Sequence, residues 1–351
     1  MRVHAGDLHH LPPGPGHAPA RRAESLTRSP CDLVRSWAED YDWREHEARI
    51  RELPWAVAGG ARPLRVAHRV VPGARQTVLL LHGWPDSVLR FERLLPLLDD
   101  VNVVVPALPG FPFALPVPEG GASSITMAEW VGEAMADLGY DHYVVSAGDV
   151  GCDVAEALAA SHPDRVGAMH LTDVSQYHFL ADLPADLSPD EQAYVERGRR
   201  WQAAEGGYMH EQSTKPWTLA ASLGDSPAGM AAWILEKLQS WTDCDGDVET
   251  VFSRDELLTW ISAYWMHRCI GTSFPPYAAG GGKPWPRVAV PTAFTIFPKD
   301  LVNAPRSFAE RRFDVRSWQE FERGGHFAAW ERPRDYLQGV RAALELAADE
   351  R

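Results

Sequence analysis

The sequence is poor in cysteine and has no long apolar run. Its 351 residues include 4 cysteines, and none of them forms a CxxC pair. This spacing argues against a zinc knuckle or a disulfide framework, so we expect buried free thiols. Uninterrupted apolar segments stay below the roughly 18 residues that a membrane span needs, and the amino-terminal segment lacks the apolar stretch of a secretory signal. The sequence therefore predicts a cytoplasmic protein without a membrane anchor or membrane partner.

Positive charge is also scarce. The chain has 34 basic and 48 acidic residues, which gives a formal net charge of −14 at pH 7. A chain of this charge is repelled by phosphate backbones and anionic lipid surfaces, so nucleic acid is not an expected partner. The sequence contains neither a P-loop nor a GxGxxG fingerprint, and the histidines near the amino terminus are too scattered for a metal site. We expect no cofactor and no metal.

Strand and helix patterns alternate along much of the chain. Hydrophobic residues make up 45% of it, which is enough to fill one large core. Strands are predicted at 65–71, 77–81, 101–105, 142–146, 168–172, 292–297 and near Val315. This alternation predicts an α/β fold with a mostly parallel sheet flanked by helices, and function at the carboxyl ends of the strands. The pattern becomes mainly helical and aromatic-rich after about Val174, which predicts a helical lid inserted between two halves of one sheet.

The predicted organisation has five segments. Residues 1–30 are rich in Pro, Gly, His and Arg without a hydrophobic period, so we expect a flexible arm. A helical extension with the first strands follows over 31–75. The core is predicted in two halves, 76–173 and 287–351. The lid lies between them over 174–286.

The most informative segment is VVSAGDVG, where a strand pattern runs into a turn and then a helix. Small residues flank the central Asp149 because a sharp, strained turn leaves no room for side chains and lifts the middle one above the sheet. Asp149 is therefore the candidate nucleophile. An ordinary turn with Asp149 as a helix N-cap explains the segment equally well when it is taken alone.

Three further segments supply partners for this carboxylate. HGWP follows a strand, where a loop can aim backbone N–H groups at a developing negative charge, so Trp84 and Val150 are the candidate oxyanion donors. His326, in a glycine-bounded loop before the last helix, is the candidate base. Asp300 follows the preceding strand and can orient the imidazole. The order Asp149, Asp300, His326 is the nucleophile, acid, base order of an α/β-hydrolase.

From about Trp37 onward the chain resembles the epoxide hydrolases of the microsomal type. The matching segments are YDWREHE (41–47), HGWPDS (82–87), PALPGFPF (106–113), AGDVG (147–151), GYMHEQSTKPWTLAASLGDSPAGMAAWILEK (207–237), FPKDL (297–301) and RGGHFAAWERP (323–333). HGWP recurs across α/β-hydrolases, whereas the long lid stretch is specific to the family. The chain departs from the family at Asp86, where Gly is usual, and in GFPFA, which indicates a reshaped pocket.

The resemblance implies an α/β-hydrolase fold and an enzyme that converts an epoxide to a vicinal diol. The expected partners are a small-molecule epoxide and water. The epoxide would form an alkyl ester on Asp149, which water activated by His326 and Asp300 would hydrolyse. Aspartate suits this reaction because a carboxylate is a competent nucleophile toward a strained sp³ carbon, whereas serine would form an acyl ester from a carbonyl.

The resemblance also implies two lid tyrosines that hold and protonate the epoxide oxygen. Tyr208 matches the first of them. Tyr277 matches the second, although Pro275 stands where the family usually has Arg. Tyr264 is the alternative for the second tyrosine.

Two other functions stay open at this point. A haloalkane or haloacid dehalogenase shares the aspartate nucleophile, but it usually carries Trp directly after that residue, where this chain has Val150. A non-catalytic ligand-binding protein can also use this fold, because fold does not determine function. The sequence leaves open the natural epoxide, a detoxifying or a biosynthetic role, and the oligomeric state, although a homodimer is common for the fold.

Overall fold

The computed structural model describes residues 30–117, 121–181, 183–278 and 286–349. Its strands are β1 Trp55–Ala58, β2 Leu64–Arg69, β3 Thr77–Leu81, β4 Asn102–Pro106, β5 Tyr143–Ala147, β6 Val166–Leu171, β7 Val288–Ile296 and β8 Phe313–Glu320. They form one sheet in the order β1-β2-β4-β3-β5-β6-β7-β8. The pairs β1–β2 and β2–β4 are antiparallel, and the other pairs are parallel. The predicted α/β-hydrolase fold with a mostly parallel sheet is confirmed.

Helices cover the sheet, extend it at the amino terminus and interrupt it between β6 and β7. In the described residues they are α1 Pro30–Glu39, α2 Trp43–Arg51, α3 Ser124–Asp137, α4 Val150–Ser161, α5 Tyr177–Leu180, α6 Pro189–Glu205, α7 Gly207–Thr214, α8 Pro216–Asp225, α9 Pro227–Trp241, α10 Arg254–His267, α11 Pro275–Ala278, α12 Arg306–Arg312, α13 Ala328–Glu331 and α14 Pro333–Asp349. None of them is both long and apolar enough to cross a membrane.

The central strands β3, β5 and β6 are buried at every position. Near-continuous apolar runs are what parallel strands need when helices cover both faces of a sheet. Helices α3 and α4 pack on each other, and α14 packs against β5, β6 and β7. The loops that follow the carboxyl ends of the parallel strands lie at one edge of the sheet, where the alternating pattern predicts the functional site.

The helices between β6 and β7, α5 to α11, lie in the predicted lid, and the helices before β1 pack against them. Helix α1 contacts α9 and α10. The indole N–H of Trp37 donates to Ser262 Oγ at 2.8 Å, and the hydroxyls of Tyr41 and Thr259 lie 2.9 Å apart. The extension therefore connects to the lid rather than standing apart from it.

Most predicted strands lie within a few residues of the observed ones, but β1 was not predicted. It is a four-residue edge strand in which only Ala58 is buried, so the sequence carries almost no hydrophobic pattern for it. The side chains of three of the four cysteines are described, and all three are free and buried, as predicted: Cys152, Cys244 and Cys269. The five-segment division stays a prediction; most of its arm, 1–29, and residues 279–285 of its lid lie outside the described residues.

Candidate active site

Asp149 lies at the turn between β5 and α4, in a backbone conformation that residues with a side chain rarely adopt. Its φ is 57° and its ψ is −133°. The turn is tight, since a Cβ on Gly151 would lie 2.4 Å from the main-chain oxygen of Leu81. Asp149 occupies the N-cap position of α4, but its side chain makes no capping hydrogen bond, so helix capping does not account for this residue. The strained turn presents the carboxylate at the carboxyl edge of the sheet.

The HGWP turn contacts this carboxylate directly. The main-chain N–H of Trp84 donates to Asp149 Oδ1 at 2.7 Å. This approach requires glycine at position 83, because a Cβ on Gly83 would lie 2.4 Å from the same oxygen. Val150, the other candidate donor, begins α4 and lines the pocket in front of Asp149. Its N–H belongs to a first helical turn, whose N–H groups have no acceptor within the helix.

His326 and Asp300 complete the predicted set. Asp300 Oδ1 lies 2.8 Å from His326 Nδ1, and Asp149 Oδ2 lies 3.4 Å from His326 Nε2. Both His326 and Asp300 have nearly fully buried side chains. Asp149 and Asp300, which are far from His326 and from each other in the sequence, therefore both lie within hydrogen-bonding or ion-pair distance of the His326 ring.

The two carboxylates determine the protonation of the imidazole between them. Burial alone would lower the pKa of His326, but the charges and hydrogen bonds of Asp300 and Asp149 outweigh burial and raise this pKa to about 10. Burial likewise opposes the charge on Asp300, and its partner His326 nevertheless lowers the pKa of that carboxyl. The two carboxyl groups therefore favour the protonated form of the imidazole.

The structure brings the two predicted tyrosines together above Asp149. Tyr208 of α7 and Tyr277 of α11 are buried, line the same pocket as Asp149, and have ring centres 5.9 Å apart. The indole of Trp84 stacks on Tyr208, with ring centres 5.3 Å apart. Burial, and then the charge of Asp149, raises the pKa of both phenols well above the ordinary value. Both hydroxyls therefore keep their protons and can act as hydrogen-bond donors.

Tyr264, the alternative for the second tyrosine, makes a different contact. Its hydroxyl donates to the main-chain oxygen of Asp86 at 3.0 Å, within the HGWPDS turn. The Tyr277 hydroxyl, in contrast, is buried, and among the described residues its one candidate hydrogen-bond partner is the hydroxyl of Tyr208. The geometry favours Tyr277 over Tyr264 as the tyrosine available to a substrate.

Sequence reasoning missed a buried ion pair that links two parts of the site. Arg90 Nη1 donates to Asp86 Oδ2, and both side chains are fully buried. Asp86 Oδ1 accepts the N–H of Gly83 at 2.7 Å, while Arg90 Nη2 donates to the main-chain oxygen of His326 at 2.6 Å. The pair therefore joins the turn that carries Trp84 to the loop that carries His326. The sequence analysis identifies Asp86 only as a difference from the family pattern. A charged Arg90 four residues later, within the apolar stretch VLRF, was the available signal for a buried ion pair.

Replacing Arg90 with Met is expected to destabilise the protein by about 3–5 kcal/mol, because the buried Asp86 carboxylate loses its counter-charge. Burial opposes ionisation of Asp86, and the charge of Arg90 together with a hydrogen bond from His82 nevertheless holds the pKa of Asp86 at about 2. Urea-induced unfolding measures the loss. The double variant Asp86→Asn, Arg90→Met keeps an acceptor for Gly83 but buries no charge, so it should recover much of the stability. A double variant as unstable as Arg90→Met would contradict this account.

Asp173 is a second residue that sequence reasoning missed. It accepts the main-chain N–H of Asp149 and the thiol of Cys152, both at 3.0 Å. Burial and the nearby charge of Asp300 raise its pKa to about 6. Asp173 lies two residues after the end of β6, so its position at the carboxyl end of a central strand was the available signal. The contact helps to hold the backbone of the strained turn.

Family models match the first half of the chain. A model described as the epoxide hydrolase N terminus matches residues 25–91, and one described as the alpha/beta hydrolase fold matches residues 76–202. Among solved structures, the epoxide hydrolase of Aspergillus niger superposes with a TM-score of 0.79 at 27% identity, covering 91% of this chain and 85% of that one. Juvenile hormone epoxide hydrolase from the silkworm Bombyx mori gives 0.80 at 26% identity, covering 96% and 90%.

Curated relatives extend the similarity over most of the chain. Epoxide hydrolase 1 of Sus scrofa is 29% identical over 364 aligned positions, which cover 90% of this chain and 79% of the relative. A putative epoxide hydrolase of Stigmatella aurantiaca is 36% identical over 326 positions, which cover 88% of this chain and 74% of the relative. With this identity and coverage, the chain belongs to the epoxide hydrolase family, of the microsomal type, on an α/β-hydrolase fold.

Proposed function

We propose that this epoxide hydrolase forms an alkyl ester on Asp149. The observation that carries the proposal is that the two oxygens of this carboxylate have different surroundings. Oδ1 accepts the Trp84 N–H at 2.7 Å, whereas Oδ2 lies 3.4 Å from His326 Nε2. Oδ2 is then the attacking oxygen, and Oδ1 becomes the carbonyl oxygen of the ester with an oxyanion donor already in place.

Ring opening needs a proton donor to the epoxide oxygen, which becomes an alkoxide as its C–O bond breaks. Tyr208 and Tyr277 supply hydrogen bonds to this oxygen, and one of them transfers its proton. Their raised pKa values keep both protonated beforehand. Their burial also excludes water, which would otherwise compete for the hydroxyl groups.

Alkylation of Asp149 changes the charge next to His326. It removes one of the two carboxylates that raise the pKa of the imidazole, so we expect that pKa to fall in the ester. His326 can then return a proton to the tyrosine that protonated the epoxide oxygen. The neutral imidazole can next accept a proton from a water. Asp300 keeps the ring oriented through the 2.8 Å contact with Nδ1. The same residue thus becomes a base only after the first step is complete.

The activated water attacks Cγ of the esterified Asp149. The negative charge that develops on Oδ1 is stabilised by the main-chain N–H groups of Trp84 and Val150. When the Cγ–Oδ2 bond breaks, the leaving alkoxide takes the remaining proton of the attacking water. The diol then leaves with the former Oδ2, and the Asp149 carboxylate keeps one oxygen from water. His326 ends the cycle protonated, as it began.

A single turnover in ¹⁸O-water tests the covalent route against direct attack of water on the epoxide. The substrate is the epoxide that reacts fastest in a panel of styrene oxide, aliphatic epoxides and bulky aryl epoxides, with the enzyme in excess. We expect diol almost free of label and one ¹⁸O on the peptide that contains Asp149, both measured by mass spectrometry. Labelled diol from the first turnover, together with an unlabelled Asp149 peptide, would refute the nucleophile assignment.

A further inference from the structure

A buried lysine lies over the ring of one of the proposed proton donors. Lys237 is in α9 and is 6% exposed. Its Nζ is 4.7 Å from the centre of the Tyr208 ring and 5.5 Å from the centre of the Trp241 ring. An ammonium is costly to remove from water, and the electron-rich faces of aromatic rings are among the groups that compensate for this loss.

Two carboxylates near Lys237 and Tyr208, those of Glu236 and Asp149, differ in their exposure to solvent. Glu236 Oε2 lies 2.5 Å from Lys237 Nζ, but the Glu236 side chain is 48% exposed, so solvent screens its charge. The carboxylate of Asp149 acts on Tyr208 from the pocket and opposes formation of a phenolate there. The Lys237 ammonium lies close enough to the Tyr208 ring to act in the opposite direction.

We propose that Lys237 is a positioning residue that strengthens Tyr208 as the proton donor to the epoxide oxygen, an inference that rests on the proposed function. As the Tyr208 O–H bond breaks and the proton moves to the epoxide oxygen, the ring becomes more electron-rich. The attraction between the ring and the ammonium therefore grows toward the transition state. Lys237 keeps its own proton throughout, and it touches neither the epoxide nor Asp149 in this step.

The charges of Asp149 and Lys237 act on Tyr208 in opposite directions during ring opening. Asp149 loses its negative charge in the same step in which Tyr208 gains electron density, so the opposition to a phenolate falls while the attraction from Lys237 rises. A solvent-exposed lysine would contribute little to this, because water would screen its charge. The burial of Lys237 therefore preserves the effect of its charge on the Tyr208 ring.

The test measures ester formation alone, in the His326→Gln background, where hydrolysis of the ester is blocked. Rapid mixing with the panel epoxide and mass spectrometry of the intact protein give the rate of ester formation and the substrate concentration that half-saturates it. Lys237→Met should slow ester formation about 3- to 30-fold, which corresponds to the usual strength of a cation–π contact. The half-saturating concentration should stay the same. Lys237→Arg, which keeps the cation, should recover most of the rate.

A double-mutant cycle with Tyr208→Phe separates this role from packing. If Lys237 acts through the Tyr208 hydroxyl, Lys237→Met should have less than about a twofold effect once that hydroxyl is absent. Lys215→Met, on an exposed lysine of the same lid, is the matched control and should leave the rate unchanged. If Lys237→Met does not fold, Lys237→Gln takes its place in the cycle.

Two results would overturn the inference: an unchanged rate in Lys237→Met, or an equal loss with and without the Tyr208 hydroxyl. The failure of the proposed function looks different. In that case no ester forms in the His326→Gln background, or Tyr208→Phe leaves the rate of ester formation unchanged. A slow Tyr208→Phe variant combined with a fast Lys237→Met variant would refute the role of Lys237 alone.

Discussion

Replacing His326 with Gln is expected to lower steady-state turnover by about 10³- to 10⁴-fold while leaving ring opening largely intact. The nucleophile Asp149 and the two tyrosines remain, so the epoxide still reacts. Glutamine cannot accept a proton from water, so the ester persists. Mass spectrometry should therefore show the Asp149 peptide heavier by the mass of the epoxide, at close to one equivalent per chain.

The matched control for this variant is His210→Gln, on an exposed histidine of α7. It should turn over at the rate of the unmodified enzyme and accumulate no adduct. Unimpaired turnover of His326→Gln, without an adduct, would remove His326 from the mechanism. Loss of both turnover and adduct in a folded variant would place the histidine in ring opening instead.

The elements that position this chemistry are largely readable from the sequence because their signals are local. The strand that ends at Ala147 and the helix that begins at Val150 each have a continuous pattern, and the small residues between them predict the strained turn. The edge strand β1 lacks such a signal, since four residues with one buried side chain do not establish a period. Its pairing with β2 is what defines it.

The candidate site likewise contains residues that the sequence predicts and contacts that it does not. Asp149, His326 and Asp300 each follow a predicted strand, so the fold alone brings them to one edge of the sheet. The contact of Arg90 with the main-chain oxygen of His326 joins residues 236 positions apart, and nothing in either local segment indicates it. The position of Lys237 over a ring in another lid helix depends in the same way on how the lid helices pack.

Replacing both lid tyrosines with Phe is expected to reduce ester formation by about 10³- to 10⁴-fold, while each single replacement costs about 10- to 100-fold. The reason is that Tyr208 and Tyr277 share one task. Either hydroxyl alone can still donate to the epoxide oxygen, whereas two phenylalanines leave the developing alkoxide unpaired in a buried pocket. Single-turnover rates of ester formation in the His326→Gln background isolate this step, and circular dichroism checks that the fold is retained.

Tyr264→Phe distinguishes the two candidates for the second tyrosine. Its hydroxyl donates to the main-chain oxygen of Asp86, so its removal should cost about 1 kcal/mol of stability and little of the rate. A Tyr277→Phe variant with full activity, together with a Tyr264→Phe variant without it, would reverse the assignment. That result would also mean that the lid repacks when substrate binds, because Tyr277 and Tyr208, not Tyr264, line the pocket with Asp149 in this structure. The pair of single variants therefore tests both the identity of the proton donor and whether the lid geometry seen here is the one that reacts.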